Sequence, residues 1–345
     1  MELIKPKITP PVDPSFRPAV LANRAFREAV KASGQGVPLV LGIERADGTR
    51  SIYKTEVWPS GAARAAENLP YVERIVKFLL WQRGGYKVIV GGPREVGEHI
   101  AAVYAPGGAR AFDYDFMGGV YEKQFTVEIT DADKVPPAQE QTKALGRHLE
   151  GCRIGFDAGA SDRKASAVID GEAVYSEEVI WNPRPQTDPE YHYNEIMASM
   201  KAAAAHMPRV DAIGVSSAGV YINNRVMVAS LFRGVPKDLF EAKVKNLFLR
   251  IRDEWGVPLE VVNDGEVTAL AGSMSLGVNA ILGVAMGSSE AAGYVTPEGS
   301  ITNWLNELAF APVDYAPDGP VDEWSGDRGV GALYFSQQAI FRLAP

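Results

Sequence analysis

The chain has 345 residues, 46% hydrophobic and 23% charged, which is enough to bury the cores of two or three packed units. A formal net charge of -8 and a pI near 5.2 leave no concentrated basic field for nucleic acid or acidic lipid. The single cysteine, Cys152, excludes an intrachain disulfide framework and a cysteine zinc site, and points to the cytoplasm.

Met1 to Pro18 is broken by Pro6, Pro10, Pro11 and Pro14 and reads as an extended arm without the apolar run of a signal peptide. No apolar stretch approaches the roughly 20 residues that cross a bilayer, so no membrane span is expected. Phe16 to Lys31 has helical composition and is ended by Gly34, Gly36 and Pro38. Pro38–Ile43 and Ser51–Trp58 flank Asp47-Gly48 as a β-hairpin, and Ala62 to Arg83 follows as a helix with Leu69, Val72, Ile75, Val76, Leu79 and Leu80 on one face. Lys87–Val90 is a strand, followed by Gly91-Gly92-Pro93 and a helix to about Tyr104. The polar, proline-bearing Asp131–Gln141 marks a linker or exposed crossing, so residues 1–150 form an N-terminal α/β domain whose role the sequence leaves open.

The second half is more regular. Ile154–Phe156, Ala165–Ile169 and Ala173–Ile180 form a meander turning at Asp170-Gly171. Helix Pro189–Met207, strand Ala212–Ser216, one long amphipathic helix Pro236–Trp255, strand Leu259–Val262, helix Gly265–Ser275 and strand Ala280–Met286 follow. Hairpins mixed with β-α-β units imply an α/β fold with mixed sheets.

Three segments carry chemistry. In Gly155-Phe-Asp157-Ala-Gly159-Ala-Ser161-Asp-Arg-Lys164, a glycine turn between strands brings backbone N–H groups close to an anion, Ser161 adds a hydroxyl and Lys164 a cation, while Asp157 can orient Mg²⁺ or its water. An ordinary small-residue turn explains the same segment equally well. Gly287-Ser288-Ser289, after an apolar strand, is a second such turn, and two turns can clamp one phosphate chain. Between them Val261-Val262-Asn263-Asp264-Gly265 delivers two polar residues to a strand's C-terminal end, where open α/β sheets bind ligands. There Asp264 is either a general base with Asn263 beside the same substrate, or only a helix cap.

In this order the segments resemble the actin/hexokinase/Hsp70 ATPase superfamily, and within it the ROK (repressor, open reading frame, kinase) family, over about Gly151 to Ala339. The resemblance implies an actin-like, ribonuclease H-like α/β fold with mixed, five-stranded-type sheets flanked by helices, its lobes covering 151–262 and 263–345. It places phosphate on Asp157, Gly159, Ser161, Lys164, Gly287, Ser288 and Ser289, magnesium near Asp157 through water, and the catalytic base on Asp264. It places a sugar-like substrate near Ser217, Gly219, Asn263 and Glu307. It implies ATP and Mg²⁺ as cofactors, a small sugar-like substrate as partner, and allows a homodimer.

Three departures stand out. The family's histidine is Phe310 here, and its zinc-binding cysteines are absent, so zinc is not expected. The chain shows no late strand, Gly-Gly turn and helix for the adenosine: either that part lies outside this sequence, or Lys87–Gly97, which has the pattern, supplies it in a circularly permuted fold, and an ordinary strand-to-helix turn explains Gly91-Gly92 equally well. The acidic stretch Asp314, Asp318, Asp322, Glu323 and Asp327 reads as a solvated loop. The function expected is an ATP-dependent sugar kinase, with a non-catalytic regulatory relative or an ATPase serving a protein partner as alternatives.

Overall fold

The computed structural model describes residues 1–344. Two units share the chain: Met1–Thr142, Met286–Ala291 and Thr302–Pro345 in one, Lys143–Ala285 and Ala292–Ile301 in the other. No helix among the described residues is long and apolar enough to cross a membrane.

In the first unit α1 (Ala19–Ser33) buries Ala22, Phe26 and Val30, a four-residue spacing, and ends on Gly34 at φ 65°. β1 (Val37–Glu44) and β2 (Arg50–Val57) pair from Glu44 opposite Arg50 to Val37 opposite Val57. α2 (Asn68–Arg83), β3 (Lys87–Gly91), α3 (Arg94–Val103), α4 (Ala111–Tyr121) and β4 (Thr126–Thr130) complete the N-terminal part. The sheet order is β2-β1-β3-β4, with β3 antiparallel to β1 and parallel to β4.

Of the readings left open for Lys87–Gly97, the topology does not support the permuted one: β3 is hydrogen-bonded on both edges within this sheet, and the strands Ile281–Met286 and Glu290–Val295 that flank the Gly287 turn belong to another. Of the two readings of Asp131–Gln141, the structure shows the exposed crossing: the segment is largely exposed and tied down at its end. Gln139 exchanges backbone hydrogen bonds of 2.7 and 2.9 Å with Arg50. The Glu140 carboxylate accepts from Arg45 Nη2 at 2.7 Å, Ser51 Oγ at 2.6 Å and Trp304 Nε1 at 3.0 Å.

The second unit is built on a five-stranded sheet. β5 (Thr142–Lys143) leads to the meander β6 (Cys152–Ala158), β7 (Asp162–Ile169) and β8 (Glu172–Ile180), turned at Asp170 and Gly171 with φ of 50° and 87°. α5 (Pro189–Ala204) starts with Asp188 accepting from Glu190 N and a proline in its first turn. β9 (Ala212–Ser217) is followed by a hairpin of β10 (Val220–Ile222) and β11 (Arg225–Val228), turned by Asn223 and Asn224, both with positive φ.

The one long helix expected over Pro236–Trp255 is instead α6 (Lys237–Leu239), a π turn at Phe240–Val244, and α7 (Leu247–Trp255), broken where Asn246 leaves helical geometry at φ -107°. β12 (Leu259–Asn263) and α8 (Asp264–Leu276) follow.

Strand order is β12-β9-β6-β7-β8, with β12, β9 and β6 parallel and β7 reversed. That combination of order and direction is the actin-like, ribonuclease H-like arrangement. Ile154, Phe156, Ile213, Val215, Leu259 and Val261 pack with Ile196, Met200, Phe248 and Ile251 from the covering helices. β13 (Ile281–Met286), β14 (Glu290–Val295), β15 (Ile301–Thr302) and β5 form a small sheet in the order β13-β14-β15-β5. A Cβ on Gly265 would stand 2.4 Å from Ala292 N, and one on Gly293 2.3 Å from Glu266 Cα, so the first turn of α8 lies backbone to backbone on β14.

Residues 302–344 pack with the first unit and end in α9 (Gln337–Leu343). The acidic stretch is not a solvated loop, since Asp314, Asp322 and Asp327 are buried. Asp314 accepts from the N–H groups of Arg17 and Ala316, both at 2.8 Å, Asp322 from Ser325, and Asp327 pairs with Arg74 and Arg110.

Candidate active site

The C-terminal ends of three neighbouring parallel strands carry the polar residues singled out from the sequence. Register sets Asp157 beside Ser216, Ala158 beside Ser217, and Ser217 beside Asn263. The chain then leaves β12 directly into α8, so Asp264 stands at the first turn on that edge.

Asn263, rather than Asp264, is the helix cap. Its Oδ1 accepts from Gly265 N at 2.8 Å, and its Nδ2 donates to Gly219 O at 2.8 Å. Gly219 adopts φ 130°, and a Cβ there would meet Val228 O at 2.4 Å, so only glycine fits that bend. Both ends of the Asn263 amide are thus committed to holding the edge in shape.

Asp264 takes only a longer, shared bond from Gly265 N at 3.1 Å. Burial raises its carboxyl above the usual aspartate range; the Gly265 N–H opposes this and the negative charge of Asp157 adds to it.

The first hairpin turn is tightly held. Trp181 Nε1 donates to Gly159 O at 2.9 Å, and a Cβ on Gly159 would come within 2.7 Å of Asp162 O. Ser161 Oγ donates to Asp162 Oδ2 at 3.0 Å, and the Lys164 ammonium donates to Asp162 Oδ1 while lying 4.0 Å from Asp157 Oδ2. Asp162 was passed over in the sequence reading, although its place between Ser161 and Lys164, on the same strand face as the lysine, was the available signal.

Ser217 is fully buried, accepting from Tyr221 Oη at 2.7 Å and donating to Ala158 O at 3.5 Å. It braces β6 against β9.

Ser217, Gly219, Asn263, Asp264, Asp157, Gly159, Ser161 and Lys164 all belong to the second unit. Gly287, Ser288, Ser289 and Glu307 belong to the first. There the Gly287 carbonyl accepts from Gln337 N at 2.9 Å and that of Ser288 from Gln338 Nε2 at 3.3 Å. The next residue, Glu290, is buried with its Oε2 unpartnered, and burial pushes its carboxyl up to about 7. Glu307 follows Asn306, which bends at φ 52° and donates its N–H to Gln82 O at 3.0 Å. Phe310, where the resemblance had a histidine, packs with tilted rings among Trp81, Phe112 and Phe116, its ring centroid 4.4 Å from that of Trp81. That position packs and does not hydrogen-bond.

Among the described residues no three His, Cys, Asp or Glu side chains gather as a metal cluster. Magnesium needs only one or two carboxylates beside phosphates and water, and the Asp157 side chain, 40% exposed, fits such an anchor.

No family model and no curated protein matches the chain. Solved structures do. A ROK hexokinase from Thermus thermophilus is similar at 17% identity and a TM-score of 0.44, over 55% of this chain and 62% of that one. A ROK family transcriptional regulator, a homolog of the E. coli MLC protein, is similar at 19% identity and a TM-score of 0.42, over 59% of this chain and 51% of the regulator. A glucokinase from Parabacteroides distasonis is similar at 16% identity and a TM-score of 0.40, over 58% of this chain and 57% of the enzyme. The similar part therefore spans less than two thirds of each of these proteins.

Proposed function

We propose that this chain is a divergent ROK-type protein that transfers a phosphoryl group from ATP to a hydroxyl of a sugar or sugar-like molecule, with Asp264 as the general base. One observation supports this above the others: Asn263 caps α8, so the half-buried Asp264, its proton affinity raised by burial, is left without that structural duty at the ligand edge of a ribonuclease H-like sheet.

Asp264 would accept the proton of the attacking hydroxyl. Asp157, close enough to raise Asp264, increases its basicity, and Asn263 with Gly219 keeps the edge from moving. Bound Mg-ATP supplies the phosphoryl group and charge neutralisation; Asp157 would hold the magnesium water, and Gly159, Ser161, Lys164, Gly287, Ser288 and Ser289 the phosphates. Glu307 is assigned to the substrate. We place the activity in the cytoplasm, in keeping with a single, buried, free Cys152.

The test is ADP release over a panel of sugars, comparing the parent with Asp264→Asn. Equal turnover removes Asp264 from the base role.

A second reading, a ROK-like protein that binds a sugar and regulates without catalysis, is favoured by one fact: Ser161 and Lys164 already bond Asp162. Calorimetry separates the two, because sugar binding without ATP affinity fits only the regulator.

A further inference from the structure

Lys164 stands in the middle of a row of acids. Strand pairing sets Asp157 opposite it on β6 and Glu178 opposite it on β8, while Asp162, at i-2 on β7, shares its face. Its ammonium bonds Asp162 and lies 4.0 Å from Asp157 Oδ2, and Glu178 adds to the field holding it charged. The other oxygen of Asp162 takes the Ser161 hydroxyl at 3.0 Å. One cation therefore faces three carboxylates, and Ser161 and Lys164 both donate to one of them, Asp162. An incoming phosphate oxygen meets a carboxylate with the geometry and charge that it would itself bring.

We propose that Asp162 is a resident counter-anion of the first hairpin: it withholds Ser161 and Lys164 from external polyphosphate and must be displaced before the turn can bind one. This rests on reading Asp157–Lys164 as the phosphate hairpin. It makes Asp162 a specificity determinant. The hairpin discriminates against free phosphate anions and accepts polyphosphate whose charge a divalent cation has already reduced, since the two remaining carboxylates on the row, Asp157 and Glu178, repel the first and attract the second.

The experiment compares the parent, Asp162→Asn, and Asp162→Asn combined with Lys164→Ala. Magnesium pyrophosphate is the probe in calorimetry, and the rate of Lys164 acylation by an amine-reactive reagent, read by mass spectrometry without ligand, reports whether the ammonium is held. Asp162→Asn should bind the probe at least about tenfold more tightly, the double variant should lose that gain, and Lys164 should be acylated several-fold faster once the carboxylate is neutral. Equal or weaker probe binding in Asp162→Asn, including no binding by either form, overturns the proposal, as does an unchanged acylation rate. If Asp162→Asn gains pyrophosphate affinity while neither protein phosphorylates any sugar, the counter-anion stands and the kinase reading falls. If the parent phosphorylates a sugar while Asp162→Asn leaves the affinity unchanged, the kinase reading stands and the counter-anion falls.

Discussion

Asn263 donates from Nδ2 to the carbonyl of Gly219 at 2.8 Å, so the residue that caps α8 also ties down the bend after β9. One side chain therefore sets the relative position of two neighbouring strand ends, and through them the placement of Asp264.

Replacing Asn263 with alanine removes both bonds. The loss expected is about 1–2 kcal/mol of stability, the usual cost of an N-cap plus a part-buried carbonyl left without its donor. Asn263→Asp keeps the cap but not the bond to Gly219, and should recover only part of it. Urea denaturation followed by circular dichroism measures both; an alanine variant as stable as the parent removes the bracing role.

With Asp264 as the proposed base, its carboxyl should set the acid side of the pH profile. Its carboxyl is raised by burial, against the Gly265 N–H and with help from the charge of Asp157, so kcat/KM should fall with decreasing pH at a midpoint above the ordinary aspartate value of 3.8. Asp264→Asn should reduce turnover by about 10²–10⁴-fold. Asp157→Asn removes a like charge and should move the midpoint down. A pH profile on the best sugar of the panel reads both shifts, and a midpoint at 3.8 in the parent contradicts the assignment.

Glu290 works against the fold when ionised. Its carboxyl is raised from 4.5 to about 7 by burial alone, so the stability associated with its protonated form is fully present below 4.5 and is lost as pH rises through 7. Glu290→Gln should match the parent near pH 4.5 and exceed it by about 2–3 kcal/mol at pH 8. Denaturant titrations at the two pH values check this; a variant of equal stability at both is incompatible with a buried, unpartnered carboxyl.

Asp327 behaves oppositely. Burial pushes its carboxyl up, but Arg74 at 2.7 Å, Arg110 at 2.8 Å and Lys77 at 3.5 Å outweigh burial and hold it below the ordinary range. Its contribution is present above 3.8 and is lost as pH falls below that. Asp327→Asn should cost about 1–3 kcal/mol near neutral pH, because Arg74 loses its hydrogen-bonded carboxylate while Lys77 keeps Asp113 and Arg110 keeps Glu73. Thermal unfolding of the variant near neutral pH at the same temperature as the parent would show the cluster to be dispensable.

Much of the architecture was legible from the residues. Asp47-Gly48 and Asp170-Gly171 marked hairpins because few residues accept positive φ, and Gly48 and Gly171 take it at 84° and 87°. The α2 face from Leu69 to Leu80 was periodic, and the strand runs of β6, β7 and β8 were apparent, with β6 alternating buried and half-buried residues. α4 was missed because Gly118 and Gly119 sit inside it, and β10–β11 because the strands are only three and four residues long. The helix over Pro236–Trp255 was read as continuous because no proline or glycine marks the π turn at Phe240–Val244 or the break at Asn246.

The site divides along the same line. Residue type and order alone determined that Asp157, the Gly159 turn, Asn263 and Asp264 come at strand ends, because strand, turn and helix signals are local and survive any packing. Which of these groups has a free valence was decided only in three dimensions. Asn263 took the cap, Asp162 took Ser161 and Lys164, Tyr221 took Ser217, and an aromatic cluster took Phe310. Hydrogen-bond occupancy and desolvation depend on which neighbours the fold brings within a few ångströms, and no spacing along the chain encodes that.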